Sequence, residues 1–366
     1  MSNQLGYYGK EFYGTGYFGA VMAYSSLPLF VAIDWEKIFT QSIPTEMVIS
    51  LKVYKNGATI SLVDTDRIAI MASENRIGIT AEMGASLGSA YVIGDQVQIT
   101  LEITPGLGTP FEISLFNGFV STLATGLNSV DNEEPVIVYL TSSQNRLLDE
   151  IPAITTWSGT ASDLLSYALT QVGCQSVDID IDDYSINQDF TFLTWRDLIK
   201  EIASGLTQAS VIVTESGVGY ARAWDRTDTI FSSDPLGFLI PRSGWVEQTK
   251  QDSQADQYRK VTIQGVSGVV GTAIDPAGIG TDYSETSNFL TTAAQCAQKA
   301  QSILDLSKRT IRTIVTPINP LLTVGALIRT TTAAGTVSGK ILSITHSGSW
   351  QSGGGFWTTL TMGVDA

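Results

Sequence analysis

From Gln96 to Ile103 apolar and polar residues alternate without a break: Val97, Ile99, Leu101 and Ile103 against Gln96, Gln98, Thr100 and Glu102. A period of two is that of a strand with one face buried and one solvated. Met47 to Tyr54 is a second such run, closed by Asn56-Gly57, a pair that suits a tight hairpin turn. Arg67 to Met71, Arg76 to Thr80, Phe111 to Phe116 and Gly118 to Val120 are further short runs, with Pro105-Gly106 and Pro110 as punctuation. Residues 28–150 contain no helical period, so the pattern predicts a first β-barrel or sandwich there.

The period changes at 151–235. Ala161 to Val172 places Leu164, Leu165, Ala168 and Val172 near helical spacing, and Gly173 is a natural stop. A second helix is predicted to open at Thr194-Trp195-Arg196-Asp197, with Thr194 as cap, an acid in the first turn, and Leu198, Ile199, Ile202 and Ala203 as its apolar face up to Gly205. Strands are expected at Val177–Ile181, Ala209–Thr214 and Gly219–Trp224, giving a small α+β unit. Residues 236–366 return to strand texture at Tyr258–Gly265, Thr310–Val315, Gly325–Thr330, Gly339–His346 and Trp357–Met362. A single helix is predicted over about Thr291 to Leu306. The fold class read from these patterns is mainly β with a small α+β insertion.

Composition adds an electrostatic asymmetry. The 366 residues carry a net charge of −15. The charge is 0 for 1–27, −9 for 28–150, −8 for 151–235 and +2 for 236–366. So acidic a chain is not expected to grip a phosphate backbone over its whole surface. Residues 1–27 stand apart as an aromatic–glycine arm without helical period, carrying Tyr7, Tyr8, Phe12, Tyr13, Tyr17 and Phe18. Exposed aromatic clusters of this kind act as interface anchors, so these six residues are candidates for a subunit or partner contact. The start of the chain lacks the basic and apolar regions of a secretion signal, and Leu27–Ile33 is too short to span a bilayer. Cys174 and Cys296 are far apart without metal-ligand spacing, and are expected as buried, reduced thiols.

Candidate chemistry is sparse. Gly84-Ala85-Ser86-Leu87-Gly88 fits the G-x-S-x-G pattern of serine hydrolases, for which the single histidine, His346, is the one available base. That chemistry needs a strand–turn–helix elbow, and the residues after Gly88 do not read as a helix. Asp178, Asp180, Asp182 and Asp189 match positions 1, 3, 5 and 12 of a calcium loop, but Asp183 replaces the glycine required at position 6. Their alternation with Val177, Ile179 and Ile181 favours a solvated strand face. Gly335 to Lys340 is one residue short of a phosphate-binding loop. A glycan- or receptor-binding module using Trp157, Trp195, Trp224, Trp245, Trp350 or Trp357 is a further alternative. No cofactor or metal is expected, and the emptiness of this survey favours a structural role.

Three stretches carry a family resemblance. The first is Gly94-Asp95-Gln96-Val97-Gln98-Ile99-Thr100 with Leu115-Phe116-Asn117-Gly118-Phe119-Val120. The second is Ala161–Gly173 followed by Phe192 to Ile199 and Ile202-Ala203. The third is Tyr258-Arg259-Lys260-Val261, the 291–306 helix, Pro320–Gly325, and Ile341–His346 with Trp357-Thr358-Thr359-Leu360. Taken in this order they resemble the baseplate or tail hub proteins of tailed bacteriophages, especially contractile-tailed ones. The resemblance spans most of residues 28–366 and leaves the aromatic arm outside. It implies two similar tail-tube-like β-barrels (28–150 and 236–366) around a middle α+β domain (151–235). It further implies a non-enzymatic homotrimer whose ring joins a six-fold tail tube protein to a central spike protein, with DNA only as passing cargo. Other baseplate or tail proteins would be its remaining partners. Its place would be the tail tip or baseplate of a virion made in a bacterial cytoplasm.

Overall fold

The computed structural model describes residues 48–60, 67–73, 77–85, 91–104, 111–125, 136–214, 217–223, 238–240, 247–251, 257–317, 322, 324–332, 335–349 and 356–364. The first half contains β1 (Val48–Lys55), β2 (Ala58–Ile60), β3 (Arg67–Ser73), β4 (Thr80–Ala85), β5 (Gln96–Thr104), β6 (Phe111–Thr125), β7 (Val136–Ser142), α1 (Ser143–Leu148), β8 (Thr156–Thr160) and α2 (Ala161–Gln171). Next come β9 (Ser176–Asp180), β10 (Ser185–Asp189), α3 (Trp195–Ala203), β11 (Ala209–Val213), β12 (Val218–Ala223), β13 (Phe238–Ile240) and β14 (Glu247–Gln251). The last part holds β15 (Tyr258–Gln264), β16 (Val270–Ile274), β17 (Thr281–Thr286), α4 (Ala293–Ser307), β18 (Thr310–Pro317), β19 (Leu327–Thr332), β20 (Gly335–Ser349) and β21 (Phe356–Val364). The described residues are mainly β; their helices are α1, which begins at Ser143 inside the stretch read as free of helical period, α2, α3 and α4.

Two compact units are each assembled from separated stretches. One draws on described residues within 1–145, 228–248 and 313–362, the other on those within 146–227, 249–312 and 363–366. A 13-stranded sheet runs β14-β18-β21-β20-β3-β4-β7-β6-β5-β1-β2, with β19 beside β20 and β13 beside β19. Its first strands follow the sequence pattern closely. Leu51, Val53, Val97, Ile99 and Leu101 are buried, and β1 pairs antiparallel with β5 so that Val53 faces Ile99 and Leu51 faces Leu101. Asn56 and Gly57 both have positive φ, 49° and 82°, as a two-residue hairpin turn of the favoured hand requires. The β3–β20 pairing sets Met71 opposite Thr345 and Ile70 opposite His346, joining early and late parts of the chain.

One expected strand is displaced. Arg76 to Thr80 reads as a strand, but Ile77 has φ 65°, outside extended backbone, and β4 begins at Thr80. The β-rich sequence there conceals a bend in which Gly78 lies against Asn145; a β-carbon at Gly78 would come within 2.7 Å of the Asn145 side chain.

The second unit holds three small sheets: β10-β8, β11-β12-β9 and β16-β15-β17. Its helices begin where the sequence places caps. Thr160 accepts from the Asp163 amide, Thr194 from the Asp197 amide, and Thr292 forms a reciprocal box with Gln295. Each cap satisfies a helix amide that has no partner within the helix. Gly173 follows α2 with φ 90°, the left-handed stop that a β-carbon would strain. Cys174 and Cys296 are buried free thiols, and burial pushes the Cys174 thiol up to about 12.

Candidate functional site

Opposite the buried side of β1, β5 and β6 lies a polar face. Lys52 pairs with Glu102, and its ammonium is 3.0 Å from Glu112 Oε1. Tyr54 donates to that same oxygen at 2.7 Å, while Thr100 contacts Glu112 Oε2 at 3.5 Å. Hydrogen bonds to Glu102 and Glu112 hold the Lys52 ammonium well above the ordinary lysine value. For Glu112, loss of water opposes ionisation, but the bonds from Tyr54 and Lys52 outweigh it and its pKa falls below the usual value. The result is a fixed acidic–polar surface in which one lysine is shared by two carboxylates. The alternation of Lys52 and Tyr54 on β1 with Gln98, Thr100 and Glu102 on β5 was its sequence signal, but no local pattern marks Glu112 as the hub.

At the end of this face, Asp95 ties three segments together. Its carboxylate accepts from Asn56 Nδ2 at 2.9 Å and from the Val92 amide at 2.8 Å, and it lies 3.3 Å from Lys55 Nζ. The Asn56 side chain returns the contact by accepting from the Gln96 amide at 2.9 Å. Gly94, with φ 95°, makes the turn, and its amide donates to Val120 at 2.9 Å. This geometry gives the Gly94-Asp95 pair a physical role: the aspartate clamps the β1–β2 hairpin to the start of β5. The bonds from Asn56 and Val92, with a lesser contribution from Lys55, lower the Asp95 pKa. A lowered carboxylate pKa supplies stability that is present above the unfolded pKa, about 4, and is lost as pH falls through the folded value. Asp95→Ala is therefore expected to cost about 2 kcal/mol at pH 7. Urea unfolding at pH 7 and pH 3 checks this, since the gap between wild type and variant must shrink at pH 3.

The sequence-predicted site residues are scattered. Gly84 and Ala85 lie in β4 and His346 in β20, while Ser86 lies outside the described residues. His346 Nδ1 is 2.9 Å from Thr358 Oγ1, and loss of water around the ring pushes its pKa down to about 4. Asp178 and Asp180 bracket Arg222, at 2.6 and 3.1 Å, because β9 runs parallel to β12 with Asp180 opposite Arg222. Asp182 instead accepts from Thr207 and from Gln298, and Asp189 ends β10. Among the described residues no group of three His, Cys, Asp or Glu side chains is placed to hold a metal ion. Trp195 is buried, Trp157 is half-buried and donates to the Thr160 carbonyl, and Trp357 is 38% exposed. Trp224, Trp245 and Trp350 lie outside the described residues, as do Tyr7, Tyr8, Phe12, Tyr13, Tyr17 and Phe18. Gly335 to Lys340 is part of β20. No described helix is long and apolar enough to cross a membrane.

The fold is shared with solved tail and prophage tail proteins. The tail protein from Neisseria meningitidis superposes with a TM-score of 0.64 at 11% identity, covering 87% of this chain and 96% of that one. The 43 kDa tail protein of prophage MuSo2 from Shewanella oneidensis gives 0.58 at 13%, covering 86% and 98%. Prophage tail protein gp18 from Listeria monocytogenes gives 0.51 at 12%, covering 86% and 94%. No protein-family profile matches the sequence, and no curated protein matches it. The chain thus shares the mainly β fold of these tail proteins, the fold class that the order of segments led to expect.

Proposed function

We propose that the chain is a structural component of a phage tail: a homotrimeric baseplate hub that adapts a six-fold tail tube to a three-fold central spike and forms part of the DNA conduit. The observation that carries this reading is the tail-protein fold matched over 87% of this chain and 96% of the Neisseria protein. Agreement over nearly the whole of both chains argues for a shared architecture rather than one common domain. In this reading residues 28–150 and 236–366 supply the two barrel-like parts and residues 151–235 the middle domain. The compact units add that 249–312 clusters with 146–227. Tail tube protein, spike protein and further baseplate proteins are its partners, and the virion tail tip is its location. The arm with Tyr7, Tyr8, Phe12, Tyr13, Tyr17 and Phe18 is assigned to contacts with a neighbouring subunit.

The charge distribution supports the conduit part of the proposal. Residues 28–235 carry −17 of the total −15, offset by +2 beyond. A wall bearing such carboxylates repels DNA phosphates and lets the genome pass without sticking. Light scattering on the purified chain is expected to give three times the chain mass, and negative-stain microscopy ring-shaped particles. A monomer at micromolar concentration, unchanged by added tail tube protein, overturns the hub reading.

A further inference from the structure

An open depression of about 300 Å³ in the second unit, with Gln208, Tyr258, Tyr283, Glu285, Ile303 and Leu306 among its lining residues, stands apart from the surface described above. Its construction starts from a sheet irregularity. Strand β15 pairs parallel with β17, setting Val261 opposite Tyr283 and Ile263 opposite Glu285, with a register shift between Tyr258 and Lys260. Val261 and Ile263 are buried while Arg259 and Lys260 are consecutively exposed. An extra residue in a strand reverses the facing of what precedes it. Tyr258 is thereby brought beside Tyr283, their rings stacked at 4.8 Å and 28°. The opposite wall is Ile303 and Leu306 of α4.

The polar groups are held in place. Glu285 Oε1 is 2.9 Å from the ammonium of Lys299, which is fully buried, and Glu285 Oε2 accepts from Tyr283 at 2.9 Å. A carboxylate has about four acceptor positions, so two are left open by the described residues. The Ser307 hydroxyl fixes the Tyr258 amide, and the Ser302 hydroxyl fixes the Gln208 amide. The Tyr258 hydroxyl and the Gln208 side-chain amide have no hydrogen-bond partner among the described residues. The cavity therefore offers an aromatic face, an aliphatic wall, free donors and acceptors, and a carboxylate whose charge is cancelled from behind.

We infer that this cavity binds one neutral sugar ring of a saccharide. Aromatic rings accept the apolar C–H face of a pyranose, and free amide, hydroxyl and carboxylate groups match its hydroxyls. Cancellation of Glu285 by Lys299 leaves no net charge to select an ion. The volume lies at the lower end for small-molecule sites, which suits a single ring. All lining residues belong to one chain, so the inference does not depend on the trimer.

The test is saturation-transfer NMR on the full chain with the methyl glycosides of glucose, galactose and N-acetylglucosamine. At least one is expected to bind saturably with a Kd on the order of millimolar, the range for so small a ligand. Gln208→Ala and Tyr258→Leu are each expected to weaken it about tenfold, the loss of one hydrogen bond or one stacking face. Their far-ultraviolet circular dichroism at the temperature of the binding measurement should match wild type. Absence of saturable transfer from all three glycosides overturns the inference, as does binding that survives both substitutions. Displacement by a proline-rich peptide with no glycoside binding would assign the cavity to a peptide and overturn it as well.

Discussion

Gly271→Val is expected to prevent the second unit from folding stably. Gly271 sits in β16 against α4, and a β-carbon there would lie 2.1 Å from the Ala297 amide nitrogen and 2.4 Å from the Cys296 carbonyl carbon. Both obstacles are backbone, so no side-chain rotation relieves them; the helix itself must move off the sheet. That separates Ala273, Val261 and Ile263 from Cys296 and Ala300, all buried. Gly271→Ala should already cost about 3 kcal/mol, and valine more. Gly268 provides the contrast, with φ 78° and nothing within 4 Å of an added β-carbon. Gly268→Ala pays only for left-handed backbone, about 1 kcal/mol. Urea unfolding followed by far-ultraviolet circular dichroism separates them. Equal midpoints for Gly268→Ala and Gly271→Ala would mean that α4 does not approach β16 as closely as described.

Such contacts explain what could and could not be read from sequence. Thr194 three residues before Asp197, and Asn56 before Gly57, announce their structures within four residues, because caps and turns are local. The alternation in β5 and the apolar stripe of α3 are likewise local. Strand β17, Thr281–Thr286, was not legible: it is mostly polar, and its partner β15 lies parallel to it. Strands β7, β8, β10, β13, β14 and β16 were missed for related reasons, being short or lacking alternation. The β3–β20 pairing links residues 270 to 282 apart, from Ser73–Ser343 to Arg67–Ser349, and no local pattern records such a register. The same holds for sites. Asp95 was visible as part of a Gly-Asp pair, but its three partners come from β1, the preceding turn and the hairpin. The cavity beside Tyr258 depends on one bulge and on a buried lysine, neither of which a hydropathy pattern reveals.

Lys299→Met is expected to destabilise the second unit by about 3 kcal/mol, although methionine fits the apolar stem of lysine well. The ammonium of Lys299 has no exposure to water and rests on Glu285, whose side chain is 27% exposed. It also lies 3.5 Å from the Ser204 hydroxyl at the end of α3. Removing one partner of a buried pair leaves the other desolvated and unpaired, a loss of about 3–5 kcal/mol; partial exposure of Glu285 puts this pair at the lower end. Replacing both partners removes the unpaired charge, so Lys299→Met with Glu285→Gln should recover at least half of the loss. The exposed pair Arg259–Asp282, with side chains 56% and 55% exposed, supplies the comparison. Arg259→Ala should leave the urea midpoint nearly unchanged, and salt should erase any difference. The Lys299→Met loss should persist at high salt, because water and ions do not reach the ammonium. Urea midpoints for wild type, Lys299→Met, Glu285→Gln, the double variant and Arg259→Ala, each at low and high sodium chloride, decide the matter. If the double variant loses as much as the sum of its single substitutions, Lys299 and Glu285 act independently, and α4 is held to β17 by apolar packing alone.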